Sequence, residues 1–414
     1  MKAKNSKNSK IHLKKSPNRE KKLVENSRKK STKSAKVLGA LGVLGLVGGA
    51  GCLAGSFFLP SSTGFNAVFP EIPSKVETNS IYSRLTGLPL GSEADVTAPA
   101  YCIQTPNGMD GARPQAGLDQ AGVVFEAIAE AGITRFAAIY QNPSSAVIGP
   151  IRSLRLYYLE WDTPFDCTIV HAGGAPDALQ AVSHGYKDLT ENYTYMYRGT
   201  NGARRWNNLF TTSTYLAKMN SDRGYGGSDI KGFSRMTPEQ SLKSRVDALA
   251  EEKLNILEAS TGKTSSLVPK TPAVGVNFGG IPSFNVRYNY NVDTNTYARS
   301  YANGNTHDIY ECPGEDLGEK NPENVCTLKQ LAPSVVAVIK VTEKRASDNY
   351  HEDITTIGSG EAYVFQNGIS IKGTWKKSSR EEQIRFYGDD GAEIALAPGQ
   401  TFVEAVPGYG SVEY

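Results

Sequence analysis

The chain has 414 residues, 39% hydrophobic and 21% charged, which is enough for a large buried core and too balanced for a wholly disordered or fibrous protein. Its net charge of +3 conceals an asymmetry: fourteen Lys and Arg against Glu20 and Glu25 give residues 1–36 a net +12, leaving the remainder at −9. An acidic folded part has no overall electrostatic footprint for nucleic acid, so none is expected as a partner.

Residues 1–36, rich in Lys, Ser and Asn, have the composition of a disordered basic tail. The run from Val37 to Leu59 carries no charge, and its 23 residues exceed the roughly 20 that a helix needs to cross the hydrocarbon core. Lys33 and Lys36 precede it and Pro60 follows. The positive-inside rule then puts residues 1–36 in the cytoplasm and the rest outside, with residues 37–59 as a single-pass anchor in the plasma membrane. A lipidated signal ending at Cys52 is the competing reading. Gly49-Ala50-Gly51 supplies small residues before it, but Gly49 stands where a Leu-like residue belongs, and both the basic tail and the apolar run are long for a signal. Residues 60–80 read as a Pro- and Ser-rich stalk.

Folded structure is expected from Ile81. APAYCIQT reads as a first strand, and VVFEAIAE and ITRFAAIY read as a hairpin closed by Ala131-Gly132. Leu154, Tyr157, Tyr158 and Trp161 space as one face of a helix over 153–163, with CTIVHA a strand and Ala175–His184 a second helix. Thr237-Pro238-Glu239-Gln240 is a capping box that starts a helix running to about Glu258. Beyond it come AVGVNF, FNVRYNYN, TYARSYAN and VVAVIKV, then EAYVFQ and ISIKGTW joined by Asn367-Gly368, then EEQIRFYG and AEIALA joined by Asp390-Gly391, and TFVEAVP. The expected class is α+β: a layered sheet-and-helix region over 81–236, a helix and connector over 237–270, and a mostly antiparallel β region over 271–414.

Four cysteines lie in this part. Cys312 and Cys326 bracket a polar loop that cannot hold itself by burial, and a disulfide between them is expected. Cys102 and Cys167 fall in predicted strands, either paired or as buried thiols. There is no P-loop, dinucleotide fingerprint, HExxH or GxSxG, so no cofactor and no metal are expected.

Several blocks are more telling: ARPQAGLDQAGVVFEAIAEAGITRFAAIYQ, VIGPIRSLRLYYLEW, IVHAGGAPDAL and RRWNNLFTTS, then IGSGEAYVFQNGISIKGTWKK and LAPGQTFVEAVP. In these the chain resembles the YerB-like family of bacterial cell-envelope proteins, whose domains have no known function. The resemblance spans residues 81 to about 410. It implies an α+β fold, export and membrane tethering, with typical members described as lipoproteins; Gly49 departs from that lipidation pattern.

These blocks carry Arg113, Glu126, Arg135, Arg152, Arg155, His171 and Asp177. One reading is an internal salt-bridge framework in which Glu126 faces Arg135 across the hairpin. The other is an anion site: Arg152 and Arg155 at a helix start, opposite His171 and the Gly173-Gly174 pair, would take carboxylate or phosphate. Arg113, Arg135, Arg205, Trp206 and Asn207 complete the candidate ligand set. Outside a cell, such groups occur on peptidoglycan stem peptides and wall glycopolymers. Hence the expected function is binding or scaffolding of wall polymers or wall-active envelope proteins. The alternative is a wall-directed hydrolase or transferase, with His171 as base and Glu126 or Asp177 beside it. Asn207 stands where relatives carry His, which weakens the enzyme reading. Tyr186, Tyr193, Tyr195 and Tyr197 suit sugar stacking or a core equally, whereas Tyr288, Tyr290, Tyr297 and Tyr301 read as structural.

Overall fold

A computed structural model describes residues 81–199, 205–259, 269–314 and 322–414. The basic tail, the apolar run 37–59 with Cys52, and the stalk lie outside the described residues. No helix among the described residues is long and apolar enough to cross a membrane.

In chain order the strands are β1 (Ala100–Pro106), β2 (Val123–Glu130), β3 (Ile133–Gln141), β4 (Thr168–Val170), β5 (Asp188–Leu189), β6 (Tyr197–Arg198) and β7 (Leu209–Phe210). Then follow β8 (Ala273–Asn277), β9 (Val286–Asn291), β10 (Thr296–Tyr301), β11 (Asp308–Glu311), β12 (Thr327–Gln330) and β13 (Val335–Val341). The last are β14 (Glu343–Arg345), β15 (Glu352–Ile354), β16 (Gly358–Gln366), β17 (Ile369–Lys377), β18 (Arg385–Gly388), β19 (Thr401–Pro407) and β20 (Ser411–Glu413). The principal sheet has ten strands in the order β18-β17-β16-β13-β19-β2-β3-β1-β4-β5. Strands from both ends of the folded part meet where β19 runs parallel to β2, so the two regions share one sheet. β19 is also parallel to β13, and β4 to β1 and β5, whereas the hairpin pairs are antiparallel.

Three layers result. β2 is buried on both faces, which is why VVFEAIAE is apolar almost throughout instead of alternating. Val123, Phe125 and Ala127 face the helices Leu156–Asp162 and Pro176–Val182, where Phe125 stacks on Trp161 at 5.3 Å between centroids. On the opposite face, Ile128, Val336, Val338 and Val406 pack on a four-stranded antiparallel sheet, β10-β9-β8-β20, through Val274, Tyr288 and Tyr297. Tyr288, Tyr297 and Tyr301 are buried, as their alternation predicts.

Local signals are honoured in detail. Ala131 and Gly132 both have positive φ, as do Asn367 and Gly368, which is the backbone that two-residue hairpins require. Thr237 Oγ1 accepts from Gln240 N while Gln240 Oε1 accepts from Thr237 N, closing the capping box of the helix Pro238–Ala259. AEIALA differs from expectation: it forms no strand, because its backbone divides between two neighbours, Ile394 N bonding Phe386 O and Leu396 N bonding Ser234 O. Disulfides join Cys312 to Cys326 and Cys102 to Cys167, the second tying β1 to the chain just before β4.

Candidate functional site

The charged residues of the blocks singled out above separate into two groups, because strand alternation sends neighbours to opposite faces. Glu126 is opposite Phe136, and Arg135 is opposite Ala127. Glu126 therefore does not meet Arg135, and the expected cross-hairpin pair is replaced by two separate networks.

The inner network lies between the two sheets. Arg299 on β10 donates Nη2 to Glu126 Oε2, and both side chains are fully buried. Arg299 Nη1 also donates to His307 Nδ1, so the imidazole proton sits on Nε2 and is given to Gln115 Oε1 at 3.0 Å. Burial, then the charges of Arg299 and Arg113, hold His307 well below its ordinary pKa, so it is neutral. Asn107 Nδ2 donates to Glu126 Oε1 at 3.1 Å, and its Oδ1 accepts Arg113 Nε at 2.8 Å. The Arg113 guanidinium lies over the Tyr301 ring at 3.7 Å, which places it in this framework and not in a cleft.

A second carboxyl completes the network. Glu404 on β19 is the register partner of Glu126 on β2, is fully buried, and accepts from Tyr288 Oη. Burial and the neighbouring Glu126 charge push Glu404 well above the usual carboxyl range. Its Oε2 meets no donor, and a proton there makes it one. The pair therefore carries one negative charge opposite Arg299.

The outer network gathers at the end of the β2–β3 hairpin. Glu130 holds Arg135 Nη2 at 2.7 Å and Arg155 Nη2 at 2.5 Å, and Arg135 Nη1 donates to Ser153 O at 2.8 Å. Burial alone would raise Glu130, but Arg135, Arg155 and Arg152 outweigh it and hold the carboxyl below its ordinary value. Arg152, partly exposed, adds a third guanidinium. Its Nε is buried without a hydrogen-bond partner, and among the described residues its guanidinium makes no salt bridge. Burial lowers its pKa below the ordinary guanidinium value, Glu130 and Asp110 oppose this, and the Arg155 charge adds to it.

Arg152 does not begin a helix. Its N–H bonds Gln104 O and its carbonyl accepts Ala172 N; Leu154 then bridges to Gly174. The helix starts at Leu156 with Arg155 as its extended N-cap residue, and at seven residues it supplies little dipole. Arg152 and Arg155 thus do not share one helical face: Arg155 bonds Glu130, and Arg152 acts on that carboxylate through its charge alone.

The other candidates are placed as follows. His171 is buried, and both ring nitrogens are engaged, Nδ1 with Gly173 O at 2.7 Å and Nε2 with Asp188 Oδ1 at 2.9 Å. Neither Glu126, on the sheet's inner face, nor Asp177, exposed on the helix Pro176–Val182 and bonded to Ala178 N, is its partner. Asn207 is buried and donates to Asp110 Oδ1 at 2.7 Å; Trp206, half exposed, donates Nε1 to Asp110 Oδ2 at 2.9 Å. Arg205 is exposed on the same short 3₁₀ turn. Tyr193 is exposed, and Tyr195 and Tyr197 are buried. Among the described residues no group of three or more His, Cys, Asp or Glu could hold a metal.

Sequence reasoning missed Arg299, Glu404, His307, Asn107 and Glu130. One signal was available for Arg299: it shares a strand face with Tyr297 and Tyr301, both expected to be structural, and an arginine on such a face needs a buried partner.

Comparisons with known proteins fit this architecture. Residues 85–226 match the N-terminal domain, and residues 276–403 the C-terminal domain, of a protein family of unknown function, DUF3048. The chain belongs to this family. A Bacillus subtilis (strain 168) relative named "Putative lipoprotein YerB" is 25% identical over 355 residues, 85% of this chain and 92% of its own. The crystal structure of YerB protein from Bacillus subtilis superposes with a TM-score of 0.62 at 23% identity, covering 81% of this chain and all of the other, and supports the fold. Both DUF3048 regions contribute to the inner network: Glu126 and Asn107 come from the first, Arg299 and His307 from the second. Glu404 stands one residue past the matched range.

Proposed function

We propose that this DUF3048 protein is a membrane-tethered, extracytoplasmic envelope protein that holds an anionic wall polymer, or a wall-active protein bearing such a group, at Arg152. The observation that carries the reading is the surplus of the outer network: three guanidiniums gather around Glu130, and Arg152, partly exposed, has no salt bridge among the described residues. A guanidinium in that state favours a forked oxyanion such as carboxylate or phosphate. Two disulfides suit an oxidising compartment, and the name of the Bacillus relative and the apolar run 37–59 both suit a membrane anchor. Engagement of both His171 nitrogens weighs against the hydrolase or transferase reading. The test is co-sedimentation of the full-length protein, in detergent, with purified wall fragments. Fragments bearing phosphate or carboxylate should retain it, and fragments stripped of those groups should not.

A further inference from the structure

A second feature of the surface belongs to neither network. A pocket of about 530 Å³ opens beside the tip of the β2–β3 hairpin, lined by Ala131, Gly132, Gly279, Gly280, Glu343 and Tyr409 among others. Tyr409 is 62% exposed, yet it is held on two sides. Its ring lies so close on Gly279 that a Cβ there would come within 2.3 Å of a ring carbon, and its hydroxyl donates to Glu343 Oε1 at 2.5 Å. The floor beside it is bare backbone: a Cβ on Gly280 would fall 2.9 Å from Gly132 Cα. An exposed aromatic ring normally loses rotamer freedom when it binds, and this one has already lost much of it.

The polar groups of the pocket narrow the choice of ligand. Glu343 Oε2 is buried and lacks a hydrogen-bond partner, so it calls for a donor. Burial, countered in part by the Tyr409 hydroxyl, raises the carboxyl above its ordinary value. The two cations at the rim are already matched, Lys344 with Asp353 at 3.2 Å and Arg345 with Glu352 at 3.8 Å. The pocket thus offers a fixed aromatic face, an oxygen in need of a donor and a flat backbone floor, with no surplus positive charge. A sugar ring meets all three: its C–H face packs on the tyrosine, and a hydroxyl or amide N–H reaches the carboxyl.

We infer that this pocket binds a saccharide unit of a neutral glycan, stacked on Tyr409 and hydrogen-bonded to Glu343. The site uses none of the arginines around Glu130, so it stands or falls separately from the anion site.

The experiment is calorimetric titration of the full-length protein in detergent with three soluble probes: a β-1,4-linked N-acetylglucosamine tetramer, maltotetraose and tetra-alanine. Saturable binding of at least one saccharide is expected, with none for tetra-alanine. Tyr409→Ala should weaken it about tenfold or more, as loss of a central aromatic anchor does. Tyr409→Phe, which keeps the ring and loses the anchor to Glu343, should weaken it less. Arg152→Ala should leave it unchanged. Thermal melts would show that the variants fold. No saturable binding of either saccharide, binding of tetra-alanine in their place, or undiminished affinity in a folded Tyr409→Ala protein would overturn the assignment.

Discussion

Arg299 and Glu126, 173 residues apart in the chain, form a fully buried ion pair that ties the four-stranded sheet to the ten-stranded one. A buried charge that loses its partner is far costlier than a pair that is absent altogether. Arg299→Ala should therefore destabilise the fold by about 3–5 kcal/mol, with a similar loss for Glu126→Ala. The double variant should lose much less than the sum of the two, because each residue's penalty is the stranding of the other. Urea unfolding of the four proteins measures this; additive losses would mean that the pair is not coupled.

Glu404 makes a pH prediction of definite sign. Its folded-state pKa is raised above the ordinary 4.5, so the folded protein holds a proton that the unfolded chain releases. The stability associated with that proton is full below the unfolded pKa and declines as pH rises toward the folded one. Glu404→Gln keeps a neutral donor in place of the protonated carboxyl and removes this decline. Melting temperatures of variant and wild type should be close at pH 5, and the variant should melt higher at pH 8. A variant that melts lower at pH 8 would place a charged Glu404 in the fold.

Glu130 makes the opposite one. Its carboxyl is held below its ordinary 4.5, so its contribution is present above that value and lost as pH falls through the folded pKa. Glu130→Gln should be strongly destabilising at pH 7, since it strands Arg135 and Arg155, and the gap from wild type should shrink in acid. A gap that is constant from pH 7 to pH 3 would contradict the assignment.

The two disulfides should differ in worth. They close loops with sequence separations of 65 and 14 residues. Loop-closure entropy favours the longer by about 1.4 kcal/mol. Replacing Cys102 and Cys167 together by Ser should lower stability more than replacing Cys312 and Cys326, as chemical denaturation would show. The reverse order would point to native-state packing around Cys312, whose carbonyl accepts from Ala146 N and Ser145 Oγ.

What the sequence disclosed follows range. The hairpin at Ala131-Gly132, the turn at Asn367-Gly368, the capping box at Thr237 and the Cys312–Cys326 bridge each rest on residues near one another in the chain, so local pattern was enough. The pairing of Glu126 with Arg299, and of β19 with β2, joins distant segments, and nothing local announces it. The outer site is half legible: Arg152 and Arg155 stand out in the sequence, but Glu130, which binds Arg135 and Arg155, reads as an ordinary strand end. The helix starts later than the spacing predicts because Leu154 spends its backbone elsewhere, its N–H on Gly173 O and its carbonyl on Ala175 N, while the Ser153 carbonyl accepts from Arg135.

Membrane attachment is tested through Cys52 and topology together. Protease added to spheroplasts should digest the part beyond Pro60 and spare the basic tail. Cys52→Ser should leave the protein in the membrane fraction if residues 37–59 anchor it. Release into the medium, together with loss of fatty-acid labelling, would assign the anchor to a lipid on Cys52.

The most direct test of the anion site is Arg152 itself, with binding to phosphate- or carboxylate-bearing wall fragments and thermal stability measured on the same preparations. Arg152→Ala should cost about 2–5 kcal/mol of binding if the contact is desolvated, and Arg152→Lys, which keeps the charge and loses the fork, should cost less. Stability should change by no more than about 0.5 kcal/mol, since the guanidinium makes no salt bridge among the described residues. A large loss of stability in Arg152→Ala, with no binding of anionic fragments by the wild-type protein, would leave a structural arginine and no site.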